Sequence, residues 1–197
     1  MTHGNPLKRR RFLKLGLGGA ILLAIGGGAF KWLGSGYGTL VTGDDHPIAL
    51  TIKEFAVVKS VVRALLPADG ALPSGESLGI AQRIDEELWA ASADTRSDLK
   101  AGLQVLEHAT IMNGYASRFT ALDPAKQREY LTKLLDGSND TLRQVAGGLR
   151  QIVHIFYYAR PETWKAIGYD GPLVPKAVPP DSHVAYAKLL GKSGGAS

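Results

Sequence analysis

The 197-residue sequence predicts an all-α fold: a small helical bundle of about five helices with an extended, proline-rich C-terminal tail, preceded by an N-terminal export leader. Three observations carry this. Apolar residues recur at three- and four-residue steps in five successive stretches between residues 51 and 160, the spacing of one helix face. No segment sustains the two-residue alternation of a strand. Pro161, Pro172, Pro175, Pro179 and Pro180 crowd residues 161–181, where a long helix would lose hydrogen bonds and clash with the rings. The chain accordingly divides into a leader over 1–34, a linker over 35–50, a helical domain over 51–160 and an extended tail with short helices over 161–197.

The leader comes first. Lys8-Arg9-Arg10-Arg11-Phe12-Leu13-Lys14 is followed by a glycine-rich apolar run from Leu15 to Phe30, the layout of a twin-arginine export signal. Arg10, Arg11, Phe12, Leu13 and Lys14 are its expected recognition residues. Between Lys14 and Lys31 lie 16 residues, six of them glycine, fewer than the roughly 20 apolar residues of a stable membrane span. Ala29-Phe30-Lys31-Trp32 interrupts the small-x-small pattern of a cleavage site, and Lys31 and Trp32 also suit a membrane interface. Cleavage and retention as an anchor to the inner membrane both stay open. The expected compartment is the bacterial periplasm.

Charge follows the same division. The formal net charge is +5, but residues 1–34 hold six of the 23 Lys and Arg and none of the 18 Asp and Glu. The rest has 17 basic against 18 acidic side chains, a net of −1, which leaves no electrostatic footprint for nucleic acid. The absence of cysteine excludes disulfides, thiolate metal sites and a cysteine nucleophile.

Each helix has its own signals. Thr51-Ile52-Lys53-Glu54 fits a capping box that opens the first, with Phe55, Val58, Val61, Val62, Leu65 and Leu66 as its stripe and Pro67 as its stop. After a turn-rich loop over residues 67–76, Ser77 caps the second, whose face is Leu78, Ala81, Ile84, Leu88 and Trp89. A third is predicted from Thr95 to Ala116, with Leu99, Leu103, Leu106, Ile111 and Tyr115 on one side. Asp123-Pro124 opens a fourth, lined by Tyr130, Leu131, Leu134 and Leu135 and ended by Gly137. The fifth runs from about Thr141 to Ala159 on Leu142, Val145, Leu149, Ile152, Val153 and Phe156. The tail should hold one short turn near Glu162–Ile167 and a last helix over Val184–Leu190.

No self-contained active site emerges. His108 and His154 fall on helices that could be neighbours, but they lack the Glu-x-x-His spacing of helix-bundle metal sites. Glu86 and Glu87 point about 100° apart on a helix and read as a solvated face, while Asp85, one step from Ile84, is the most inward of the three. Gly16-Leu17-Gly18-Gly19 follows no strand and lies in the leader.

The tail is more specific. Tyr157, Tyr158, Trp164 and Tyr169 gather around glycine and proline, a composition that buries much area at low ordering cost and suits an interface. Tyr157, Tyr158, Trp164, Tyr169, Asp170, Gly171 and Pro172 are the candidate partner-contact residues; for Tyr157 and Trp164, capping of the chain's own core is an equal reading.

This region resembles the gluconate 2-dehydrogenase subunit 3 family, the small subunit of membrane-bound flavin dehydrogenases. The marks are Tyr157-Tyr158, Pro161, Trp164 and Gly168-Tyr169-Asp170-Gly171-Pro172, with Leu65-Leu66-Pro67-Ala68-Asp69 and Ile84-Asp85 upstream and the leader before them. The loop Gly70–Ser77 is a looser version of the family's Pro-Gly-Ala stretch. The resemblance implies a subunit without catalysis, metal or cofactor of its own. Its partner would be a large FAD-dependent dehydrogenase of the glucose–methanol–choline type, which oxidises a sugar, sugar acid or alcohol and passes electrons to a cytochrome c subunit. It also implies that the leader, read by the twin-arginine translocase, co-exports the folded flavoprotein. The alternative reading of the residues is a stand-alone periplasmic helical protein that binds an apolar ligand or a metal.

Overall fold

A computed structural model describes residues 36–172 and 181–191. Seven helices are found among them: α1 (Ile52–Leu65), α2 (Ile80–Ala90), α3 (Ala93–His108), α4 (Pro124–Asp136), α5 (Asp140–Tyr158), the single turn α6 (Pro161–Trp164) and α7 (Asp181–Leu189). The described residues contain no strand, and their only β pairing is an isolated bridge between Asp69 and Leu72. The all-α bundle read from the sequence is the observed architecture.

Helix α1 is the centre of the bundle and packs against α2, α3, α4 and α5. Its start is the predicted capping box. The Glu54 N–H donates to the Thr51 hydroxyl at 3.3 Å, and the Thr51 N–H donates back to the Glu54 carboxylate at 2.8 Å. Because four helices surround it, burial extends beyond the predicted stripe to Ala56, Val57, Ser60 and Ala64. The core continues through Leu103 and Leu106 of α3, Tyr130, Leu131 and Leu134 of α4, and Leu149, Val153 and Tyr157 of α5.

The loop after α1 is fixed by contact rather than by local turn chemistry. The Gly75 N–H donates to the Leu66 carbonyl at 2.9 Å. A Cβ on Gly75 would lie 2.7 Å from the Val62 side chain and 2.9 Å from that of Leu66, so only glycine lets this backbone rest on α1.

Two boundaries differ from the sequence reading. Helix α2 is capped by Gly79 in the left-handed region (φ 65°), not by Ser77, whose N–H and hydroxyl both bond Ser74 in the preceding turn. Helix α3 ends at His108 rather than near Ala116. The chain passes into a 3-10 turn over Ile111–Asn113, closed by Gly114 at φ 90°. Helix α5 lies within one residue of its expected bounds and is capped by Asn139, whose side chain accepts from the Leu142 N–H at 3.1 Å.

The segment expected as a linker is packed at its two ends. Tyr37 is buried, and so are Ala49 and Leu50. The tail also folds back, since α7 packs on α2. Tyr186 of α7 is 2 % exposed and meets Trp89 edge to face at 5.9 Å between ring centroids.

Candidate functional site

The aromatic turn after α5 is built by helix geometry and two glycines. Successive residues on a helix point about 100° apart, so the Tyr157-Tyr158 pair splits. Tyr157 goes inward, is 2 % exposed, and donates its hydroxyl to the Pro73 carbonyl at 2.7 Å. It belongs to this chain's own core, leaving no face for a partner. Tyr158 goes outward and is 42 % exposed. The two rings still touch edge to face at 5.2 Å.

Pro161 opens α6 at its first turn, where a missing N–H costs nothing. Buried Thr163 donates its hydroxyl to the Arg160 carbonyl at 2.8 Å, and Arg160 reaches across to the Leu78 carbonyl at 3.0 Å. These bonds fix α6 against the body. Trp164, half-buried, then donates its indole N–H to the Tyr158 carbonyl at 2.9 Å.

Gly168 takes the left-handed conformation (φ 71°) and lets the Tyr169 N–H return to the Trp164 carbonyl at 2.9 Å. Tyr169 therefore lies edge-on to Trp164 at 5.3 Å, with 46 % of its surface exposed. Gly171 has φ 106°, and a Cβ there would lie 3.1 Å from the Trp164 ring. Asp170 and Pro172 are exposed. Tyr158, Trp164 and Tyr169 thus form one braced aromatic array. Ile155, one turn before Tyr158 on the same helix face, and Ile167 are also exposed, at 54 % and 46 %. Neither isoleucine stood out in the sequence, because Ile155 sits between inward residues of the stripe.

The remaining candidates do not converge. Asp85 is fully buried. Its carboxylate accepts the N–H groups of Ile48 at 2.7 Å, Ala49 at 3.1 Å and Leu50 at 2.7 Å, and the Tyr186 hydroxyl at 2.5 Å. Glu86 and Glu87 instead pair with Arg83 on the outside of α2, and Glu87 also meets His183 at 2.9 Å. Burial, then the hydrogen bond to the Asp85 carboxylate and its charge, push the Tyr186 hydroxyl well above its ordinary range, against the opposing pull of Gln82.

A second buried carboxylate was not singled out from the sequence. Glu107 accepts from the Tyr37 hydroxyl at 2.8 Å, the Thr120 hydroxyl at 2.6 Å and the Thr120 N–H at 3.0 Å, and pairs with Arg118 at 3.2 Å. Burial raises its pKa against the pull of these donors. Burial, then the charges of Arg118 and Lys53, lower that of His108. His154 is engaged elsewhere, with Nδ1 2.7 Å from the Arg150 carbonyl and its ring 6.0 Å from that of Tyr158.

Among the described residues no group of three or more His, Asp or Glu is arranged to hold a metal. A wide, open depression of about 400 Å³ lies between Asp45–Ile48, Ile52 and the end of α7. The export-signal residues Arg10, Arg11, Phe12, Leu13 and Lys14 lie outside the described residues, none of whose helices is long and apolar enough to cross a membrane.

A family model described as gluconate 2-dehydrogenase subunit 3 matches residues 52–171. The match begins at the first residue of α1 and ends at the glycine that closes over Trp164. No curated protein and no solved structure matches the chain.

Proposed function

The chain belongs to the gluconate 2-dehydrogenase subunit 3 family, and from that premise we propose that it is the non-catalytic small subunit of a dehydrogenase complex, binding and stabilising a large FAD-dependent subunit. The flavin and the oxidation of a sugar, sugar acid or alcohol belong to that partner, of the glucose–methanol–choline type. Electrons leave through a cytochrome c subunit. The twin-arginine leader carries the folded pair to the periplasm.

The observation that carries this reading is the array of Tyr158, Trp164 and Tyr169. A soluble domain gains nothing by bracing large aromatics while leaving them exposed, whereas an interface gains affinity from rigid aromatic anchors that lose little entropy on binding. Buried Asp85 and Glu107 favour the same reading, since both are spent on tying chain segments together.

Trp164→Ala combined with Tyr169→Ala tests it. The double substitution should leave the helical circular dichroism in place and weaken the complex by about 2 kcal/mol or more, roughly thirtyfold in dissociation constant. Equal recovery of the flavoprotein with wild-type and substituted chain would remove the array from the interface.

A further inference from the structure

The most exposed large apolar side chain among the described residues is Met112, at 81 %, and its neighbour Ile111 is 49 % exposed. Both sit on the 3-10 turn that follows α3. The turn is rigid. Asn113 donates its backbone N–H to the Thr110 carbonyl at 2.9 Å and its side-chain amide to the Ala109 carbonyl at 2.7 Å. The Tyr115 N–H returns to the Thr110 carbonyl at 3.1 Å, and Lys133 holds the Asn113 carbonyl at 2.8 Å. A fixed backbone therefore presents two apolar side chains outward, making a knuckle.

Its surroundings narrow the partner. Exposed Lys133 also lies 5.7 Å from the ring centre of half-buried Tyr115. Exposed Lys53 lies 5.6 Å from the ring centre of Tyr37, which Arg118 also covers at 4.4 Å. Of the carboxylates nearby, Glu129 accepts the Tyr115 hydroxyl at 2.9 Å and Glu107 is buried in its own network. Apolar tips above a collar of lysine and tyrosine match the layering of a bilayer surface, with acyl chains below and anionic headgroups above.

The position fits as well. Tyr37, the first buried residue after the leader, bonds Glu107 in the last turn of α3, and α3 leads directly into the knuckle. The first described residues after the leader thus lie at the knuckle's end of the domain. The aromatic turn is at the other end of α5. Gly147 faces Leu135, two residues beyond Lys133, and Tyr158 lies eleven residues further along α5, roughly 16 Å at 1.5 Å per residue.

We propose that the Ile111–Met112 knuckle enters the lipid surface of the inner membrane beside the leader junction, so that the aromatic turn points away from the lipid towards the partner. This rests on the reading that the leader brings the chain to that membrane. Two side chains bury too little area to hold the domain there alone, so the leader supplies residence and the knuckle supplies orientation.

The absence of native cysteine makes a direct test simple. Full-length chain carrying Met112→Cys or, as control, Glu76→Cys in the loop near the aromatic-turn end is labelled with an environment-sensitive fluorophore. It is then mixed with vesicles of phosphatidylethanolamine and phosphatidylglycerol whose acyl chains are brominated. The label at 112 should shift to the blue and be quenched severalfold, and the label at 76 should not. Vesicle-bound chain with both labels equally unquenched overturns the knuckle while leaving the leader reading intact. Chain that does not float with the vesicles overturns both. A label at 112 that responds only when the flavoprotein is added assigns the knuckle to a protein contact and overturns the lipid contact.

Discussion

Asp85 shows what a single residue does here. It is one step from Ile84 on the inward face of α2, and its carboxylate receives three backbone N–H groups and one hydroxyl. Those three N–H groups belong to Ile48, Ala49 and Leu50, immediately before the capping box of α1, so one side chain fixes the entry of the chain into its central helix. Hydrogen bonds to a buried charge are each worth about 1.5–3 kcal/mol net, and the stranded donors add a desolvation cost when the acceptor goes. Asp85→Ala should therefore lower unfolding free energy by roughly 3 kcal/mol in urea denaturation, whereas Glu86→Ala, which removes only a surface pair with Arg83, should cost under about 1 kcal/mol. Equal effects would show that Asp85 is not the tie described. The inward setting of Asp85 was legible from its place beside the stripe. Its partners were not, because they lie 35 to 37 residues before it and 101 after it, separations that no local pattern spans. Glu107 was missed for the same reason. Its neighbours in sequence say helix, and only the fold brings Tyr37, Arg118 and Thr120 to it.

Among the elements, α7 has the most to show. It brings Tyr186 onto α2, where Asp85, Gln82 at 2.7 Å and Trp89 receive it. It therefore closes over the same carboxylate that holds residues 48–50. A chain ending at Pro172 should lose about 3 kcal/mol of stability, the scale of removing a buried aromatic, and amides 48–50 should exchange faster with deuterium. Unchanged exchange there would mean that α7 only rests on the surface. Elements were readable in proportion to how local their signals are. Helix α4 carries its own cap at Asp123, its proline at the first turn and its stop at Gly137, and it is where the sequence placed it. The start of α2 was misplaced because Gly79, which has no capping side chain, outcompetes Ser77 once Ser74 has taken the serine. The end of α3 was overrun because Ile111 and Tyr115 keep helical spacing through a 3-10 turn, and spacing alone does not report the reversal at Gly114. The tail, read as extended with short helices, contains two in its described parts: α6, which opens on Pro161, and α7, which begins just after Pro179-Pro180.

At the scale of the whole molecule, charge and packing are distributed unequally. Six cations and no acid occupy residues 1–34, and the remainder is close to neutral. Packing starts almost at once after that region, because Tyr37 is buried against Glu107 and Arg118. The proposed export address, followed this closely by a folded body, suits a route that accepts folded cargo, and the aromatic array is the proposed place for that cargo to be held. The proposed escort role then makes a prediction that separates address from grip. Arg10→Lys together with Arg11→Lys leaves the charge and the array intact but removes the paired guanidinium groups that a receptor would read. The flavoprotein should remain in the cytoplasm, still bound to the substituted chain, and periplasmic dehydrogenase activity should fall severalfold while activity in whole-cell lysate holds. Flavoprotein that reaches the periplasm in normal amount beside the substituted chain would show that it travels on another address. The small subunit would then bind and stabilise its partner without carrying it, and the array would keep its role while the leader served only its own chain.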